Sequence, residues 1–196
     1  DETYAQRDGT TRRETRFPTS AREWLLSGPH FSVGNPFHQT PRAVCDTNRA
    51  DDRLDLEFLP DDYLPRTNYV PACSEDEFRA RIPQVSWSEP SDVGPMLPAR
   101  VTSYYRFINR EMLSQSGERT LIAALFPPGV GHVHTCIESV FSDSRELLAL
   151  FVASLSLPVD FRVKSTGVGH ANKNVLNNFP LLDSSSGQFP LVLLRA

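Results

Sequence analysis

The run Thr120-Leu121-Ile122-Ala123-Ala124-Leu125-Phe126 decides the class of fold. It is apolar without alternation, and it lies between Glu118-Arg119 and Pro127-Pro128-Gly129. A strand with one wet face alternates polar and apolar residues, so an unbroken run suits a strand covered on both faces. Val133 to Phe141 is a second strand candidate. Asp143 or Ser144 caps a helix reaching about Leu155, whose apolar face is Leu147, Leu148, Phe151 and Leu155. Phe161 to Lys164 reads as a short strand, and Ala171 to Asn178 as a short helix ended before Pro180.

Upstream of that run, Val101, Tyr104, Tyr105, Ile108, Met112 and Leu113 fall at helical spacing, with Gly117 as the stop. This predicts an amphipathic helix with its tyrosines in the core. Residues 83–98 hold four prolines and form a loop. Ser74-Glu75-Asp76-Glu77 is a capping box, so a helix starts there and ends before Pro83. Arg53 to Leu59 alternates like a half-buried strand, and His30 to Val33 like a shorter one. Gly28-Pro29 and Asp61 to Pro65 are turns. These elements imply an α/β or α+β fold, with a mixed β-sheet and short flanking helices. Residues 1–20 are polar and lack apolar periodicity, which predicts a flexible linker or arm. Residues 21–196 then form one domain.

The chain has 196 residues, 39% hydrophobic and 22% charged, with a net charge of −4. It is long enough for a real core. No apolar run approaches the roughly 20 residues that span a bilayer. The net charge argues against a strongly basic nucleic-acid binder but permits a local basic patch. Eighteen of the twenty basic residues are arginine; the lysines are Lys164 and Lys173. Cys45, Cys73 and Cys136 form no CxxC pair, so they read as reduced, partly buried thiols of a cytoplasmic protein. The chain opens at Asp1 rather than Met, and closes on the apolar run Phe189 to Ala196. Both ends read as cuts in a longer protein.

The obvious catalytic patterns are incomplete. Asn35-Pro36-Phe37 lacks the second proline of the Asn-Pro-Pro-Tyr motif that holds a flipped base, and reads as a turn. His132, His134 and Cys136 are alternate residues. On a strand they would share one face as metal ligands, with Glu138 the only nearby carboxylate. No serine lies in Gly-x-Ser-x-Gly. Lys164-Ser165-Thr166-Gly167-Val168-Gly169-His170 is rich in donors and flexible. It either binds an anion through its amides and side chains or turns the chain.

Arg66-Thr67-Asn68-Tyr69-Val70-Pro71, Glu118 to Ala124, Phe126-Pro127-Pro128-Gly129 and Lys164-Ser165-Thr166-Gly167 resemble the C-terminal part of large bacterial adenine-specific DNA methyltransferases. These are the single-chain enzymes of type IIG restriction-modification and of BREX- or DISARM-like phage defence. The resemblance covers roughly residues 22–182. It implies a TaqI-like target-recognition domain that binds double-stranded DNA. The S-adenosylmethionine-binding methyltransferase domain would be a separate partner, leaving this chain without catalysis or cofactor of its own. Lys164, Ser165, Thr166, Gly167 and His170 would contact the DNA backbone. Arg66, Asn68 and Arg119 would contact backbone or bases, although Arg119 also suits a salt bridge at a strand entrance. Two other readings stand beside it. One is a protein-interaction module of a defence complex; the other is a small metal-dependent enzyme using His132, His134 and Cys136.

Overall fold

The computed structural model describes residues 2–44, 47, 50–88, 98–181, 183, 186 and 187. Cys45, most of the proline-rich loop and the Phe189 to Ala196 run lie outside the described residues. The fold is α+β. The first half holds helix α1 (Glu2–Arg7) and strands β1 (Thr11–Arg16), β2 (Leu25–Leu26), β3 (Gln39–Pro41), β4 (Asp51–Arg53) and β5 (Thr67–Pro71), then helix α2 (Glu75–Arg81). The second half holds β6 (Arg106–Arg110), β7 (Ala123–Phe126), β8 (Gly131–His132) and β9 (Cys136–Ser139). Helices α3 (Ser144–Leu155), α4 (Leu157–Ser165) and α5 (Lys173–Leu176) follow. Among the described residues the strands divide among four small sheets rather than one mixed sheet: antiparallel β1–β5, β3–β4 and β7–β6–β9, and parallel β2–β8.

The three-stranded sheet is the centre of the molecule, and its residues alternate between two cores. Phe107 and Ala123 face Leu147, Leu150, Phe151, Val159 and Val163 of α3 and α4. Ile108, Ala124 and Phe126 face Trp24, Leu26, Phe31 and Val130. Both faces are dry, which is why the strand around Ala123 to Phe126 shows no alternation. Asp143 caps α3 by accepting from Arg145 N at 2.8 Å, and Ser74 caps α2 by accepting from Glu77 N at 3.3 Å.

Several local expectations change. The segment around Val101 to Leu113 is a short 3-10 turn at Val101–Ser103 followed by β6, not an amphipathic helix. Phe107, off the supposed helical face, is fully buried, whereas Tyr105 and Met112 are exposed. Pairing with β7 and β9 on either side overrides the accidental helical spacing. Phe161 to Lys164 belongs to α4 rather than to a strand. Ser156 accepts from Val159 N, and Pro158 sits in the first turn, a helix start that the apolar-polar alternation hid. The strand expected over Arg53 to Leu59 ends at Arg53, where Asp55 Oδ1 accepts from Glu57 N and turns the chain. His30 to Val33 is the end of a 3-10 turn plus a single bridge between Ser32 and Asn35. Asn35-Pro36 is a turn as read, with Asn35 Oδ1 accepting from Phe37 N at 2.9 Å.

The largest difference lies at the N-terminus. The segment whose composition predicts a linker or flexible arm, residues 1–20, contributes α1 and β1, and β1 pairs with β5 from Thr11–Pro71 to Arg16–Thr67. Only Thr11 of this strand is fully buried, so the segment carries no apolar period to announce it. Its partner β5 supplies the buried Val70 and Thr67. Among the described residues no helix is long and apolar enough to cross a membrane.

Candidate functional site

The donor-rich segment joins α4 to α5. Lys164 and Ser165 close α4, and Thr166 caps it. Gly167 has φ +67°, a left-handed conformation that glycine adopts without strain. The segment is held from behind. Leu113 N donates to Gly169 O at 2.9 Å, Ala171 N to Glu111 O at 2.7 Å and Gln115 Nε2 to Val168 O at 2.8 Å. Lys164 Nζ donates to Gly117 O at 3.2 Å, and the hydroxyls of Ser165 and Thr166 donate back to helix carbonyls. His170 Nδ1 lies 3.4 Å from Glu111 Oε1. Residues Ser165 to His170 are all exposed. Nearby in sequence, Arg162 and Lys173 are exposed and make no ion pair among the described residues.

The other three predicted residues lie elsewhere. Asn68 is on β5, where its Oδ1 accepts from Thr15 of β1 at 3.1 Å, leaving its Nδ2 without a protein partner among the described residues. Arg66 immediately precedes β5. Its Nη1 donates to Pro41 O at 2.8 Å, and its guanidinium lies 4.8 Å from the centre of the Phe17 ring. Arg119 is half-buried and engaged: it donates to Ser154 O and Leu155 O at the end of α3, and its Nε lies 3.5 Å from Asp160. The salt-bridge alternative at the strand entrance is therefore the observed one. Asp160 is itself buried and accepts from Thr120 N at 3.0 Å and Leu121 N at 2.7 Å. The sheet β1–β5 adds an arginine not singled out from the sequence. Arg13, opposite Tyr69, is exposed and has no ion-pair partner among the described residues. With Asn68, Tyr69 and Asp51 it lines a cavity of about 270 Å³.

A second charged group lies inside. Arg106, on β6, is wholly buried. Its Nη1 donates to Glu138 Oε2 at 2.7 Å, and its Nη2 donates to the Val130 carbonyl. The same Glu138 oxygen lies 3.4 Å from His132 Nε2, and His132 Nδ1 donates to Val133 O at 2.9 Å. Burial raises the Glu138 carboxyl, but the hydrogen bond and charge of His132, with those of Arg106, outweigh it. The carboxyl is thus held below its ordinary range.

No protein-family model matches the chain, no characterised protein matches its sequence and no solved structure matches its fold.

The histidines and the cysteine of the metal reading go three ways. The chain turns between β8 and β9, with Cys136 N donating to Val133 O at 3.1 Å, so the three residues do not share a strand face. His132 turns to Glu138, and His134 pairs with Glu2 of α1. Cys136 packs in the core beside Trp24 and Phe31, where burial pushes its thiol up to about 12. A thiol so disposed is neither a ready ligand nor a nucleophile. Arg106 escaped the sequence reading because it sat on a predicted helix; Glu138 was visible only as a neighbour of the histidines.

Proposed function

We propose that this chain is a sequence-recognition domain for double-stranded DNA, serving an adenine-N6 DNA methyltransferase of a restriction-modification or phage-defence system. The observation that carries the reading is the loop Ser165 to His170. It stands exposed, its backbone is anchored from behind, and exposed Arg162 and Lys173 flank it without ion-pair partners among the described residues. A loop of this kind offers backbone amides and cations to phosphates while its scaffold, including the Ser165 and Thr166 hydroxyls, stays fixed. The resemblance of Lys164-Ser165-Thr166-Gly167 to the methyltransferase specificity domains supports the same assignment. The ribbon β1–β5 is the companion surface, since a two-stranded ribbon fits the major groove and it carries Arg13 and Asn68. Arg119 is left out of the DNA contacts because its guanidinium serves α3 and Asp160. In this reading the domain works in the cytoplasm, with Cys73 and Cys136 as free thiols, and S-adenosylmethionine belongs to the catalytic partner.

The test is an anisotropy titration of the chain with mixed-sequence duplex DNA at several salt concentrations. Lys164→Ala weakens binding to every sequence alike and lowers the salt slope by about one. Unchanged affinity and slope in a folded variant would show that the segment is only a turn. A competing reading, a protein-interaction module, is favoured by Leu157 and Phe161, which are 69% and 72% exposed one turn apart on α4. If Phe161→Ala abolishes capture of a partner protein while the wild-type chain ignores DNA, that reading replaces the first.

A further inference from the structure

Beneath α2 the chain leaves an open cleft. Two adjoining cavities of about 250 and 240 Å³ share Leu25, Phe78, Ile82, Pro83 and His132. For scale, an apolar cavity of about 150 Å³ admits benzene. The shared wall of Leu25, Phe78, Ile82 and Pro83 is apolar; one end is lined by Arg106, Glu138 and His132, and the other by Arg81, paired with Glu77, and by Glu2, paired with His134. Gly131 is needed for this shape: a Cβ there would meet Leu25 Cδ2 at 2.6 Å.

The polar end is unevenly satisfied. Glu138 Oε2 takes both Arg106 and His132. Its Oε1 receives no hydrogen bond among the described residues, is not sealed from solvent, and belongs to a side chain 22% exposed. Glu138 thus lines the cleft with one oxygen, Oε1, still free to accept, beside Phe78 and the aliphatic wall. The charges decide what suits it. Arg106 and His132 together already balance Glu138, so a ligand cation would add unbalanced positive charge in a poorly solvated site. An anion would meet the carboxylate directly. A purely apolar guest would cover Oε1 and leave it unpaired.

We propose that this cleft is a binding site for a neutral small molecule with a single-ring apolar body and one hydrogen-bond donor, such as an amide or a ring N–H, directed at Glu138 Oε1. The site is independent of the DNA reading and stands or falls separately from it.

Benzamide is the probe, with acetophenone (same shape, no donor), benzylamine (cation) and benzoate (anion) as comparators. Each is titrated into the full chain and followed by the amide resonances of Phe78, Ile82, Gly131 and His132. Benzamide shifts these saturably and binds about fivefold more tightly than acetophenone, the net worth of one hydrogen bond. It also binds more tightly than either ion. Ile82→Trp, which fills the cleft, removes the shifts; Phe78→Ala, which strips one wall, weakens them and covers the case in which the tryptophan variant fails to fold. Absence of shifts with benzamide, equal binding of acetophenone, tighter binding of benzylamine or benzoate, or undiminished binding in the folded variants overturns the proposal.

Discussion

Asp160 shows how one side chain fixes the junction between two elements. Its carboxylate receives the Thr120 and Leu121 amides as the chain enters β7, and it holds Arg119, which in turn covers the last carbonyls of α3. Asp160→Ala strands two buried N–H donors and loosens the arginine. The expected loss is about 3 kcal/mol, read as a lowered urea midpoint with unchanged slope. A loss under about 0.5 kcal/mol would mean that water replaces the carboxylate there. His30 makes a pH-dependent contribution. It is buried, its Nε2 donates to Arg66 O at 3.1 Å, and its Nδ1 accepts from Ser27 N at 3.0 Å. Burial lowers its pKa from the ordinary 6.5, so the folded chain holds it neutral. Below pH 6.5 the unfolded chain binds a proton that the folded chain refuses. Its contribution is therefore complete above that pH, and is progressively lost as pH falls toward the folded value. Urea titrations between pH 7.5 and 5.5 should show the decline, and a folded His30→Asn variant should flatten it.

At the scale of elements, legibility followed the reach of the interactions. The buried strand at Ala123 to Phe126, the α3 cap at Asp143 and the α2 cap at Ser74 were readable because burial on both faces and end-capping leave local marks. The ribbon β1–β5 left none. Its apolar content sits in β5, while β1 contributes polar residues whose backbone ladder and side-chain hydrogen bonds reach partners more than fifty residues away. The same blindness hid Arg106, whose meaning comes from Glu138 on the neighbouring strand. The Lys164 to His170 loop was legible as a loop, but its helical entry was not. A deletion decides between the arm and the strand. Removal of residues 2–16 takes away the β1 ladder and opens the side of Val70 and Thr67. It is expected to lower stability by about 3 kcal/mol, as several hydrogen bonds and buried contacts are lost together. An unchanged melting curve would restore the flexible arm.

For the whole molecule, the central sheet ties two cores together through alternate residues of β6 and β7, so neither core can be disturbed without the other. Trp24, Leu26 and Phe31 come from the first half of the chain and cover one face; α3 and α4 come from the second half and cover the other. The two candidate surfaces ride on this frame, the α4–α5 loop beside α4 and the ribbon on the opposite half of the sequence.

The place of β6 between β7 and β9 also sets an order in time. Phe107 meets Leu125 and Ser139 at smaller separations along the chain than Arg12 meets Val70. Closing the shorter loops loses less chain entropy, so the pairings around β6 are expected to form the nucleus and the N-terminal ribbon to dock late. Stopped-flow measurements should show Phe107→Leu slowing refolding, while Val70→Ala chiefly quickens unfolding. If Val70→Ala slows refolding as much, the ribbon is already in place at the rate-limiting step.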